Sequence, residues 1–123
     1  MAEASRKILA VDDNPDVLDV IVAFLEEGGF TVEAFGSGAE ALDHLRGGAE
    51  IDLLVTDILM PRLSGVSLAE QALALRPGLK ILFVTAATDI VAEKAPRLQG
   101  PYLLKPLRMA DLVEAAHDLL ASD

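Results

Sequence analysis

Residues 51–65 read IDLLVTDILMPRLSG, and the short apolar run within them ends in a single carboxylate, Asp57. Leu53, Leu54 and Val55 are bulky and show no polar alternation, the pattern of a strand covered on both faces by helices. Asp57 stands where that strand runs out. Met60, Pro61 and Gly65 then mark an irregular turn, because proline has no amide hydrogen for a sheet ladder and glycine tolerates unusual backbone angles. A carboxylate at the carboxyl end of a buried parallel strand occupies the place where open α/β sheets bind ligands.

The flanking sequence repeats the same unit. Residues 7–11 (KILAV) form a first strand, followed at once by Asp12, Asp13 and Asn14. Asn14 before Pro15 marks a helix start, since an Asx side chain accepts orphan amides and proline suits the first helical position. Val17, Val20, Ile21, Phe24 and Leu25 give that helix one apolar face, and Gly28 and Gly29 end it. Residues 30–35 (FTVEAF) form a second strand; Ser37, with Glu40 three positions later, resembles a capping box for a helix through Leu45. After the central strand, residues 67–76 predict a third helix, stopped by Pro77 and Gly78, and residues 80–84 (KILFV) a fourth strand ending in Thr85, Ala86 and Ala87. Between Thr88 and Gly100, Pro96 leaves room for only about two helical turns, so the fourth helix is expected to be short or irregular. Residues 102–104 make a fifth strand before Lys105 and Pro106; Met109, Leu112, Val113, Ala116 and Leu119 define a last amphipathic helix.

Five strands alternating with five helices predict an α/β three-layer sandwich, a (βα)5 chain whose parallel sheet has right-handed crossovers. If the polar residues ending strands one, three, four and five are to meet, those strands are neighbours in that order and strand two lies at the edge. The expected order is therefore 2-1-3-4-5, the flavodoxin-like arrangement. A chain of 123 residues suits one domain, 1–123, and we expect no effector domain after it. The longest apolar runs fall far short of the roughly 20 residues of a membrane span. The opening MAEASRKILAVDD reaches acidic residues too soon for an export signal, and cysteine is absent, which together predict a cytoplasmic location with no membrane contact. A net charge of −10 is the wrong sign for gathering nucleic acid phosphates, so no direct nucleic acid contact is expected.

On this topology Asp12, Asp13, Asp57, Thr85 and Lys105 face one crevice. Two carboxylates 4 Å apart repel by on the order of 4 kcal/mol at an effective dielectric of about 20, so three of them call for a cation. An all-oxygen site with room for water suits Mg²⁺. Lys105 adds a point charge and Thr85 a hydroxyl, a pair suited to the oxygens of a phosphoryl group. The chemistry implied is phosphoryl transfer, in which a protein positions and neutralises charge more than it makes covalent steps. Each piece has a plainer meaning when taken singly. Asp12 and Asp13 fit an acidic strand end before a helix, Lys105 a snorkelling lysine, Thr85 an ordinary strand-ending hydroxyl, and Tyr102 a half-buried strand aromatic. Their convergence on one crevice separates the two meanings. His44 and His117 fall on helices away from the strand ends and are read as surface or boundary residues.

These residues resemble the receiver domains of two-component response regulators. The matching pieces are Asp12-Asp13, Thr56-Asp57 with Met60-Pro61 and Gly65, Thr85-Ala86, and Lys105-Pro106, which together span essentially the whole chain. The resemblance implies that Asp57 accepts a phosphoryl group from a phosphohistidine. It implies that Asp13 ligates Mg²⁺ directly, Asp12 mostly through water, and Leu59 through its backbone carbonyl. Lys105 would pair with the phosphoryl group, its bond to Pro106 would be cis, Thr85 would move toward the phosphate, and the switch residue Tyr102 would turn inward. The implied partners are a histidine kinase or histidine phosphotransfer protein and a downstream protein. The implied assembly is a monomer or a weak phosphorylation-dependent dimer. Such a chain is not an enzyme on other substrates; it catalyses only its own phosphorylation and dephosphorylation. Two features depart from the family pattern: the interval from Thr85 to Lys105 is short, and Leu59 and Ala87 flank the site with apolar side chains, which should alter the lifetime of the phosphoryl group.

The alternative is a receiver-like interaction module that works without phosphate, against which stands the intact set of Asp57, Thr85 and Lys105. An aspartyl-phosphate phosphatase of the haloacid dehalogenase type wants a second acid two residues after the nucleophile, where this chain has Leu59. A flavin phosphate would be repelled by Asp12 and Asp13 in the loop after strand one.

Overall fold

The computed structural model describes residues 6–94 and 98–121, and Pro96 therefore lies outside the described residues. The elements alternate as expected: β1 (Lys7–Val11), α1 (Pro15–Glu27), β2 (Thr31–Phe35), α2 (Gly38–Arg46), β3 (Leu53–Thr56), α3 (Gly65–Leu75), β4 (Lys80–Thr85), α4 (Thr88–Lys94), β5 (Tyr102–Leu104) and α5 (Met109–Ala121). All five strands are parallel and lie in the order β2-β1-β3-β4-β5.

The central strands β1, β3 and β4 are mainly apolar because each of them serves two cores. Successive side chains leave a strand on opposite faces. On one face Leu9, Val11, Leu54, Ile81 and Phe83 pack with Ala41, Leu42 and Leu45 of α2, Leu68 and Ala72 of α3, and Val91 of α4. On the other, Ile8, Ala10, Leu53, Val55, Leu82 and Val84 pack with Ile21 and Leu25 of α1 and Leu112, Ala116 and Leu120 of α5. Burying each such Leu, Ile or Phe stabilises the fold by about 1.5–3 kcal/mol.

Local signals set the helix starts. The Asn14 side chain accepts from the Asp16 and Val17 amides, with Pro15 as the first helical residue. Ser37 Oγ accepts from the Glu40 amide at 3.2 Å and meets the Glu40 carboxylate at 3.2 Å. Helix α3 begins two residues earlier than the sequence pattern suggests, at Gly65, because Ser64 caps it by accepting from the Ser67 amide at 3.1 Å. Among the described residues helix α4 is the shortest, seven residues, in line with the short fourth helix expected.

Register brings the strand tips together. Val11 sits beside Thr56 and Thr56 beside Phe83, while Thr85 sits beside Leu104. The Asp57 amide donates to the Val11 carbonyl at 3.2 Å and the Lys105 amide to the Thr85 carbonyl at 2.9 Å, so the next residue of each strand enters one crevice.

Candidate functional site

Asp57 is placed by the loop between β3 and α3. Thr56 Oγ1 donates to the Asp57 carbonyl at 3.0 Å, and Asp57 Oδ1 accepts from the amides of Ile58 at 2.7 Å and Leu59 at 3.3 Å. The loop then passes so near itself that a Cβ on Gly65 would lie 1.7 Å from the Asp57 carbonyl oxygen. Only glycine fits there, and its amide donates to the Ile58 carbonyl at 2.8 Å. The Asp57 side chain is thus held by its own turn.

Asp12 comes from the tip of β1. Its Oδ1 accepts from the Asn14 amide at 2.9 Å, so Asn14 organises both the helix cap and the acid before it. Lys105, from the tip of β5, donates to Asp12 Oδ2 at 2.8 Å and to Asp57 Oδ2 at 3.0 Å. Asp12 and Asp57 are 1% and 8% exposed, whereas Asp13 lies at the open rim. Burial alone pushes the Lys105 ammonium down, but the hydrogen bonds and charges of Asp12 and Asp57 outweigh it and hold its pKa above the ordinary lysine value.

Asp12, Asp13 and Asp57 each offer one carboxylate oxygen, and these three atoms lie within 4.8 Å of one another. The donor set is hard oxygen throughout, and two of its members already share the ammonium of Lys105. A small oxygen-seeking dication fits this place chemically.

The remaining expected residues stand as follows. Leu59 belongs to the same turn, its amide bonded to Asp57 and its side chain 53% exposed. Thr85 is buried, and its Oγ1 accepts from the Ala87 amide at 3.0 Å. Tyr102 is 39% exposed on β5 and is not turned inward here. The Lys105–Pro106 peptide bond is cis. His44 Nε2 pairs with Glu33 at 2.8 Å and His117 stacks near Phe30, both away from the strand tips.

Sequence patterns did not disclose the two amides that hold Asp57, nor the bridge from Lys105 to both acids. Backbone donors carry no residue signature. They did not single out Arg62 either, whose φ of 69° places it in the left-handed region, since nothing in the letter R announces that conformation.

Comparison with known proteins points one way. The family model for the response regulator receiver domain matches residues 8–117. The response regulator receiver protein CpdR of Brucella abortus is 35% identical over 118 residues, covering 94% of this chain and 97% of that protein. The transcriptional regulatory protein CreB of Escherichia coli is 34% identical over 89% of this chain but only 48% of its own length, so the chain spans about half of that relative. Among solved structures, a CheY-like receiver domain protein from Methanospirillum hungatei superposes with a TM-score of 0.85 at 30% identity, covering 96% of this chain and 95% of that one.

Proposed function

Because this chain belongs to the response regulator receiver domain family, a family of signalling domains, we propose that it is a phosphoacceptor switch in which Asp57 takes a phosphoryl group from a phosphohistidine. The observation that carries the reading is the ammonium of Lys105 between Asp12 Oδ2 and Asp57 Oδ2. That bridge puts a mobile cation beside the oxygen that would attack.

Asp57 Oδ1 is occupied by two amides, so Oδ2 is the nucleophile. An O–P bond forms from Oδ2 as the P–N bond of the donor imidazole breaks, and the electron pair leaves with the imidazole nitrogen. Asp12, Asp13, Asp57 and the Leu59 carbonyl would hold Mg²⁺, which supplies positive charge against the phosphoryl oxygens. Lys105 turns from the two carboxylates to the phosphoryl group, keeping a charge-assisted hydrogen bond throughout. Thr85 reorients its hydroxyl toward the same group, releasing the Ala87 amide. Tyr102 then moves from its exposed position, and the β4–α4 and β5 surface changes. Phosphorylation in this way biases an equilibrium between two surfaces and alters affinity for a downstream protein. The donor is a histidine kinase or histidine phosphotransfer protein.

Incubation with acetyl phosphate and Mg²⁺, followed by intact mass measurement, tests this. A single hydroxylamine-labile phosphoryl adduct that disappears with EDTA is expected. Absence of any adduct in wild type would remove the reading and leave the phosphate-independent module.

A further inference from the structure

Beside the acidic site runs a second cleft of about 250 Å³, lined by Asp13, Ser37, Met60, Pro61 and Arg62. It shares one wall with the site, since Asp13 faces both. Arg62 is the one non-glycine among the described residues with a positive φ, 69°. That conformation favours Gly or Asn, so an arginine there works against local backbone preference. An outlier of this kind beside a reacting group calls for a functional reason.

The charge balance supplies one. Three carboxylates are neutralised by a divalent ion and one ammonium, so the loaded site has no net charge with which to attract a dianion. The chain as a whole carries −10 and repels one. Arg62 is the cation that lines the cleft adjoining Asp13. We propose that Arg62 is a positioning residue for the phosphoryl donor: its guanidinium draws the anionic phosphoryl group into this cleft and toward Asp57. This rests on the phosphoacceptor reading of Asp57. The transfer itself is unchanged: Asp57 Oδ2 forms the O–P bond, the acyl-oxygen-to-phosphorus bond of acetyl phosphate breaks, and acetate leaves with the electron pair, with no proton required.

Charge steering has a signature that loop damage lacks. A cation near the site attracts the phosphoryl anion and repels the metal, so its removal moves the two in opposite directions. The test compares wild type, Arg62→Asn, Arg62→Gly and Arg62→Lys. Readouts are the phosphorylation rate with acetyl phosphate at saturating Mg²⁺, Mg²⁺ affinity by calorimetry, and melting temperature. Arg62→Asn is expected to slow phosphorylation roughly fivefold at low salt, the ratio to wild type falling below about twofold near 0.5 M salt. The same variant is expected to bind Mg²⁺ slightly tighter. Arg62→Lys keeps the wild-type rate, and Arg62→Gly melts higher than wild type because the left-handed residue is relieved. Equal rates for wild type and Arg62→Asn at low salt would overturn the proposal while leaving the phosphoacceptor reading intact. So would a slower rate accompanied by weaker Mg²⁺ binding, which marks a disturbed loop. Failure of wild type to form any hydroxylamine-labile adduct removes both.

Discussion

Replacing Gly65 with alanine sets two physical effects against each other at the first position of α3. Helix propensity alone favours alanine, by about 0.5–1 kcal/mol. The structure opposes it: the new Cβ would lie 1.7 Å from the Asp57 carbonyl oxygen and 2.7 Å from its carbonyl carbon, both backbone atoms. To restore an ordinary separation of 3.4 Å, one backbone segment must yield by the difference, about 1.7 Å. That movement breaks the bond from the Gly65 amide to the Ile58 carbonyl, worth about 1 kcal/mol, and overpacks the loop at a further cost of about 1–3 kcal/mol. Subtracting the propensity gain leaves a destabilisation of roughly 1–3.5 kcal/mol, a sizeable part of the 5–15 kcal/mol typical of a domain. Urea unfolding followed by circular dichroism reads it directly. Because the yielding segment carries Asp57, Mg²⁺ affinity should fall in the same variant. A Gly65→Ala protein as stable as wild type, or more so, would show that the close approach does not govern this loop.

Several other outcomes follow from the site. Lys105→Met removes the ammonium that shares Asp12 and Asp57, so Mg²⁺ should bind about tenfold tighter by calorimetry, while the phosphorylated variant should fail to change partner affinity. Weaker Mg²⁺ binding would mean that Lys105 organises the acids instead of competing for them. In wild type, Mg²⁺ at about 100 times its Kd should stabilise by about 2.7 kcal/mol, and Asp13→Asn should remove most of that gain in a thermal melt. The raised pKa of Lys105 fixes the sign of an alkaline effect. Its ion pairs stabilise fully below the ordinary lysine value of 10.5 and fade as the pH climbs through the raised value. The stability gap between wild type and Lys105→Met should thus be level from neutral pH to about pH 10 and shrink above it; a gap that widens there would contradict the assigned ion pairs.

Much of this was legible in the letters because strand tips advertise themselves. An unbroken apolar run that stops at a charged or hydroxylated residue gave β1, β3, β4 and β5, together with Asp12, Asp57, Thr85 and Lys105. Their convergence required the order 2-1-3-4-5, which the sheet has. What escaped was set by tertiary geometry. Gly65 read as a turn marker, yet its role is to let α3 start against the Asp57 carbonyl. The sequence suits Lys105 to an incoming phosphate; without one it closes on the two buried acids, since an unpaired ammonium there would be costly. The depth difference between Asp12 and Asp13 could not be read from two identical letters; it depends on which of them faces Asn14 and β5. The left-handed Arg62 carried no signal at all, because arginine is not a residue that turn rules associate with positive φ.

The most direct test of the central claim is to locate the phosphoryl group. Protein treated with acetyl phosphate and Mg²⁺ is reduced with borohydride, which converts an aspartyl phosphate to homoserine, and is then digested and sequenced by mass spectrometry. Homoserine at position 57 alone is the predicted result. Homoserine at position 12 or 13, or an adduct that persists in Asp57→Asn, would contradict it.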